Sequence, residues 1–300
     1  MGWELAFAML LDAFLGEPRI LWNRIPHPAV LMGRAVSLLD RTFNTGRDRK
    51  SKGVLALSML CFGAALIGSA LGQLGWIVEC CVAAILLAQK SLVDHVRAVS
   101  TGLRESIANG RFAVSMIVSR DTKDMDETQV ARSAIESAAE NFSDGVVAPA
   151  FWFLVGGLPG MMVYKFVNTA DSMIGYKTEK YLEFGWASAR LDDLLNWIPA
   201  RLSMILIIVF AKFPVDFKAV TSEARRHKSP NAGWPEAAMA RALNIALAGP
   251  RSYNGQMQEL PWVNEKARKT INADDVDEAV RILWRSWNVA WIIIIVTSLV

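Results

Sequence analysis

From Gly53 to Val78 the chain carries no charged side chain. A run of that length exceeds the roughly 18 apolar residues that mark a bilayer crossing, and it constrains the fold more than any other feature. In lipid every backbone N–H and C=O must be satisfied internally, so such a run becomes a helix. Gly145–Tyr164 and Ser286–Val300 are equally free of charge, and residues 198–213 form a further apolar stretch with Arg201 inside it. No alternating pattern supports a barrel. The expectation is an all-α, polytopic helical membrane protein with about four to six membrane segments, forming a single integral-membrane domain over 1–300. Polar helical regions are expected at 92–144 and 214–285.

Several tryptophans border the apolar runs, among them Trp3, Trp22, Trp76, Trp152, Trp197, Trp284 and Trp287. Indoles at both membrane interfaces explain that placement. Residues 1–15 read as a first, partly polar membrane helix with Glu4 and Asp12, and no basic stretch precedes them as a signal peptide would require. Arg41, Arg47, Arg49, Lys50 and Lys52 stand against the single acid Asp48, which puts that loop on the cytoplasmic side. A hairpin turned at Gly72–Gly75 would keep both flanks cytoplasmic, and Gly68 with Gly72 offers a small-residue face for close packing. Gly156-Gly-Leu-Pro-Gly160 interrupts the next run, either as a kinked span or as a re-entrant hairpin.

Composition removes other classes. Hydrophobic residues make up 53%, too many for a disordered chain. Cys61, Cys80 and Cys81 all lie in apolar runs, which suits small buried hydrophobes and not a disulfide frame or a zinc site. A net charge of +3 with interleaved acids and bases gives no nucleic-acid footprint. The P-loop, dinucleotide, His-Glu-x-x-His and Gly-x-Ser-x-Gly signatures are missing from the sequence.

Dense polar blocks beside the apolar runs are the candidates for chemistry. Arg120-Asp-Thr-Lys-Asp-Met-Asp-Glu127 reads either as a solvated helix start, with Asp124 and Glu127 at capping-box spacing, or as a phosphate site using Arg120 and Lys123. The following helix carries a small-residue stripe of Val130, Ala131, Ala134, Ile135, Ala138 and Ala139. Arg132, Glu136 and Glu140 share one of its faces. Arg132 between the two carboxylates would make them structural, whereas Mg²⁺ carrying a nucleotide would make them functional. Asn168 and Asp171 lie against an apolar span, where charges are costly and usually line a cavity; Lys177 follows. In Gly185–Arg201, Asp192 shares a helix face with Asn196, and Asp193 meets Arg190 at i, i+3. They form either a bundle-locking pair or a second acidic ligand set. His227–Glu236 signals a rigid turn before a helix, with Asn231 and Trp234 able to bind a flat ligand edge.

These blocks, in this order, resemble the CobD/CbiB family of membrane-bound adenosylcobinamide-phosphate synthases. The resemblance rests on Pro26-His-Pro28 with Met32-Gly33-Arg34, Ser119–Thr122, Glu136–Gly145, Asn168–Met173 with Gly175-Tyr176, Phe184–Arg201 and Ser229–Met239. It covers nearly the whole chain, and the 184–201 block is its most specific part. Ser119 and Arg241 stand where the family pattern has glycine, and Phe142 where it has a smaller residue; none of these is a charged position of the pattern.

The resemblance implies an ATP-dependent amide ligation in cobalamin biosynthesis. Adenosylcobyric acid would be joined to aminopropanol or its O-phosphate, giving adenosylcobinamide or its phosphate. ATP and Mg²⁺ are the expected cofactors and the corrinoid is the substrate. Glu136, Glu140, Asp171, Asp192 and Asp193 are then candidate metal ligands or bases, with Glu136, Glu140 and Asp171 as the Mg²⁺ set. Arg120, Lys123, Lys177 and Arg190 are candidate phosphate ligands, and Asn168, Asn231 and Trp234 candidate corrin contacts. Expected partners are the lipid bilayer and other late cobalamin-pathway enzymes, but no nucleic acid. The expected location is the inner membrane, multi-pass, with the active site on the cytoplasmic side. Two other readings stand beside this one: a membrane Mg-diphosphate transferase of prenyltransferase type, and a non-catalytic membrane signalling or scaffold protein of related fold.

Overall fold

The computed structural model describes residues 1–18, 22–211, 215–253 and 255–299. Residues 212, 213 and 300, which end two of the expected apolar stretches, lie outside the described residues, as do 19–21 of the loop before Pro28. In chain order the helices are α1 (Gly2–Leu15), α2 (Pro28–Phe43), α3 (Arg49–Gly72), α4 (Trp76–Leu86), α5 (Gln89–Glu105), α6 (Ile107–Ser115) and α7 (Glu127–Phe142). A π-helical turn, Ser143–Val147, leads into α8 (Ala148–Ile174), followed by α9 (Trp186–Leu195), α10 (Trp197–Ile208), α11 (Phe217–Ala224) and α12 (Gly233–Leu243). Four short strands, β1 (Leu247–Ala248), β2 (Arg251–Tyr253), β3 (Gln256–Gln258) and β4 (Trp262–Val263), precede the long helix α13 (Ala273–Thr297).

The helical segments Arg49–Gly72, Trp76–Glu105, Glu127–Ile174 and Ala273–Thr297 are long and apolar enough to cross a membrane, with Trp197–Ile208 a shorter apolar helix. This is the polytopic all-α class read from the sequence. The first helix differs from expectation. At 14 residues and about 1.5 Å per residue, α1 falls short of the roughly 30 Å hydrocarbon core.

The chain divides into two compact units. The first comprises Met1–Ala88, Asp144–Trp197 and Ile294–Val300; the second comprises Gln89–Ser143 and Ile198–Ile293. In the first unit α3 packs along α8. Its inward face places Ala56, Leu57 and Leu60 against Val167, Ala170, Ile174 and Phe184. Leu55, Met59, Phe62 and Leu66 point outward and stay exposed, as a lipid-facing helix requires. Glycine sets the contact distance: a Cβ at Gly68 would lie 2.7 Å from Pro159 Cα, and one at Gly53 would lie 2.0 Å from the Phe184 carbonyl oxygen. Gly72, the other half of the expected small-residue pair, faces open space. The expected turn is present, with α3 ending at Gly72 and α4 starting at Trp76. Within α8 the helix breaks at Gly156 (φ −136°, ψ 18°) and Gly157 (φ 61°, ψ −157°), two residues before Pro159.

In the second unit α7 is the central element. Val130, Ala131, Ala134, Ile135, Ala138 and Ala139 are all fully buried, so the expected stripe is present. Alanines along this face let α5, α6 and α12 approach closely. The helix starts later than the sequence suggests. Its capping box is Asp126 with Gln129, in place of Asp124 with Glu127; both pairs have the spacing, and the later one is taken. A second difference lies in the expected helical region 214–285. There the chain forms two antiparallel pairs, β1 with β4 (Leu247 opposite Val263) and β2 with β3 (Arg251 opposite Gln258).

Candidate functional site

A buried carboxylate on α7 organises the second unit. Glu136 is only 4% exposed, and a charge so far from water must be paired and hydrogen-bonded. Its Oε2 accepts from Arg120 at 2.7 Å and lies 3.1 Å from Arg251 Nη1. Its Oε1 accepts the backbone N–H of Ala248 at 2.7 Å. Arg120 also donates to Ser133 Oγ at 3.3 Å. Ala248 holds a left-handed φ of 59°, a conformation costing roughly 1–2 kcal/mol for a residue with a side chain. That cost falls at the residue whose amide reaches the carboxylate.

These guanidiniums open onto a cavity of about 560 Å³ whose lining includes Arg120, Lys123, Arg132 and Arg251 with the acids Asp121 and Asp124. One wall is the loop before α7 and the other is the β2–β3 hairpin. Asp121 joins them: its Oδ2 accepts from Ser252 Oγ at 2.7 Å and from the Gly255 N–H at 2.8 Å, and its own N–H donates to Ser252 O at 3.2 Å. Arg132 does not sit between Glu136 and Glu140. Its guanidinium lies over the Trp262 ring, 4.9 Å from the centroid. The four cations around the cavity suit a phosphate-bearing molecule.

Behind this wall Glu236 of α12 is 5% exposed, and its Oε1 has no hydrogen-bond partner among the described residues. Burial pushes its pKa up to about 8, reinforced by the negative charges of Glu136 and Glu140 and opposed by Arg251 and Arg120. Its Oε2 lies 3.6 Å from His227 Nε2. The His227 Nδ1 lies 3.0 Å from the Ser229 N–H and 3.3 Å from the Ser229 carbonyl oxygen, so the Ser229 backbone holds the ring in place beside Glu236. Burial holds the His227 pKa below the usual imidazole value. Asn231 Oδ1 accepts from Arg201 at 3.1 Å. The Trp234 indole N–H donates to Pro230 O at 3.1 Å, and Arg201 covers its ring 4.5 Å from the centroid. Two of the three expected corrin contacts, Asn231 and Trp234, are thus engaged within the protein. Glu140 is exposed on α7.

The remaining expected residues lie in the first unit. Asp192 accepts from Asn168 Nδ2 at 3.2 Å and from Asn196 Nδ2 at 3.0 Å. Asn196 Oδ1 in turn lies 3.0 Å from the Tyr164 hydroxyl. Burial raises the Asp192 pKa to about 6 against the pull of the two amides. Burial also raises Asp193, opposed by Arg190 and Lys177; the Arg190–Asp193 separation is 4.0 Å. Lys177 and Arg190 are exposed. Asp171 folds over the end of α8, where Gly175 has no room for a side chain: a Cβ there would lie 1.9 Å from Asp171 Oδ1.

The sequence-derived set therefore falls into two groups. Arg120, Lys123, Glu136, Glu140, Asn231 and Trp234 belong to the second unit, and Asn168, Asp171, Lys177, Arg190, Asp192 and Asp193 to the first. Among the described residues no three His, Cys, Asp or Glu side chains are gathered to hold a metal ion. Of the expected Mg²⁺ set, Glu136 and Glu140 belong to the second unit and Asp171 to the first, and the Glu136 carboxylate is engaged by two guanidiniums. Sequence reasoning passed over Arg251, which sits on a three-residue strand without motif or periodicity, and Asp121 as the join between the cavity walls.

Comparison with known proteins supplies the family. A family model described as "CobD/Cbib protein" matches residues 5–283. A cobalamin biosynthesis protein CobD of Sinorhizobium fredii is 50% identical over 94% of this chain and 92% of its own length. The protein of the same name from Rhizobium meliloti is 49% identical over 95% of this chain and 93% of its own. That of Halalkalibacterium halodurans is 40% identical over 93% and 91%. No solved structure matches.

Proposed function

The chain belongs to the CobD/CbiB protein family, and from that membership we propose that it acts in cobalamin biosynthesis as an ATP-dependent amide ligase. The acid is adenosylcobyric acid, the amine is aminopropanol or its O-phosphate, and the product is adenosylcobinamide or its phosphate. The protein works as a multi-pass inner-membrane enzyme with its site toward the cytoplasm, alongside other late enzymes of the pathway.

The observation that carries this reading is the cationic cavity built on Glu136. A free carboxylate is a poor acyl donor. ATP supplies the activation: its terminal phosphoryl passes to a carboxylate oxygen of the acid, and ADP leaves. The amine nitrogen then attacks the acyl carbon, the C–O bond to phosphate breaks, and the ammonium proton passes to a base. Arg120, Lys123, Arg132 and Arg251 fit the phosphate groups, since all four line the cavity and stabilise charge there without reorganising. Glu136 fixes Arg120 and Arg251 in place. Mg²⁺ commonly binds through one or two carboxylates plus phosphate oxygens, and Asp121 and Asp124 are the carboxylates at hand. Glu140, Asp171, Asp192 and Asp193 are the candidate bases.

The test uses purified protein in detergent with adenosylcobyric acid, Mg-ATP and aminopropanol phosphate, read by mass spectrometry. Amide product that disappears when ATP is omitted is the expected result. Asp171→Ala, with membrane insertion intact, should abolish it. Failure to bind corrinoid at all would defeat the reading.

A further inference from the structure

The outer face of α2 presents a stripe that the proposed ligation does not use. Leu31, Arg34, Leu38 and Arg41 follow at i, i+3, i+7 and i+10 and are all exposed, so they line one face of the helix. The opposite face buries Met32 and Val36, with Leu39 and Phe43 packed on the same core. The stripe is therefore not a core face left bare. It borders an open groove of about 460 Å³ that Arg34, Ser37, Leu38 and Arg41 share with Gly33 and Met173.

Three of the neighbouring basic residues are engaged within the protein. Lys52 donates to Thr45 O at 2.8 Å, Arg49 lies 3.6 Å from Glu183, and Lys50 sits over the Trp186 ring. Arg34 and Arg41 have no hydrogen-bond or ion-pair partner among the described residues. Two such guanidiniums, alternating with bare leucines just ahead of the apolar helix α3, match a ligand with an anionic head and an apolar tail. Amphipathic helices that lie in the interface combine these elements, and basic residues near the surface favour anionic lipid by about 1 kcal/mol each.

We propose that the Leu31–Arg41 stripe of α2 is a binding site for an anionic glycerophospholipid, its phosphate held between Arg34 and Arg41 and its acyl chains against Leu31 and Leu38. The site ties the helix to the acidic leaflet and makes bound lipid part of the native protein.

The full chain is purified in detergent with a mixture of phosphatidylglycerol and phosphatidylcholine, and retained lipid is counted by native mass spectrometry. Wild-type protein should retain phosphatidylglycerol preferentially, and R34Q/R41Q should lose that preference by about tenfold or more. R34K/R41K, which keeps both charges, should retain most of it and guards against a merely misfolded double variant. R47Q, a charge loss outside the stripe, should change little. Equal phosphatidylglycerol retention in wild type and R34Q/R41Q would overturn the proposal. So would release of the lipid by millimolar inorganic phosphate, which would mark a free-phosphate site. Loss of ligase product in R34Q/R41Q with lipid retention unchanged would also overturn it, since the stripe would then serve substrate.

Discussion

Glu136 on α7 and Arg251 on the β2 strand meet at 3.1 Å, and through that contact a three-residue strand becomes part of a buried charge cluster. Arg120 completes the arrangement from the loop on the other side. Removing one partner of a buried ion pair leaves the other charged and unpaired, which costs about 3–5 kcal/mol. Glu136→Gln should therefore destabilise the protein by about that much, measured by chemical unfolding in detergent. A loss below about 1 kcal/mol would show that water reaches the two guanidiniums and that the cluster is not buried in solution.

Arg251→Ala makes a different demand. With Arg120 still held by Glu136, the cavity keeps part of its charge but loses one fixed donor. Hydrogen bonds to charged groups contribute about 1.5–3 kcal/mol. The KM for ATP should rise about tenfold or more while the KM for the amine moves little. A change confined to kcat would take Arg251 out of ground-state phosphate binding and leave it acting only in the transition state.

Glu236 makes stability depend on pH. Its folded pKa is raised from 4.5 to about 8, chiefly by burial. The contribution it makes is fully present below the unfolded value and is lost as pH rises through the folded one. Melting temperature should fall as pH climbs from about 5 to about 9, and Glu236→Gln should flatten that fall. Parallel curves for the two proteins would mean that Glu236 is charged throughout and satisfied by a partner.

Two glycines on α3 offer a matched pair. A side chain at Gly68 meets the Pro159 backbone at 2.7 Å, whereas one at Gly72 meets nothing within 4 Å. Overpacking costs about 1–3 kcal/mol, so Gly68→Val should unfold at a clearly lower temperature. Gly72→Ala should stay within about 0.5 kcal/mol of wild type. Equal effects would mean that α3 and α8 are not in close contact.

What the sequence revealed follows from the length of each signal. The buried stripe of α7 repeats over several turns, so Val130 through Ala139 could be named in advance. The uncharged run of α3 gave a span for the same reason. The N-cap was displaced because Asp124 and Asp126 both stand three residues before a suitable partner, and only the packed structure selects between them. The strand pairs between Leu247 and Val263 have two or three residues each, too few for any period to register. The sequence points to Glu136 as chemically important, but not to its partners. The nearest cation at helical spacing was Arg132, yet this guanidinium lies over Trp262, while Arg120 and Arg251 arrive from a loop and a hairpin. Contacts of that kind belong to tertiary structure and leave no local trace.

The Asp121 join between the loop and the hairpin also bears on the size of molecule the second unit can admit. Because one carboxylate bonds Ser252 and Gly255 together, the two walls do not part independently. Loop and hairpin are pinned to each other at one side chain, so a change at Asp121 reaches both walls of the cavity at once, and with them the room the cavity leaves for a ligand.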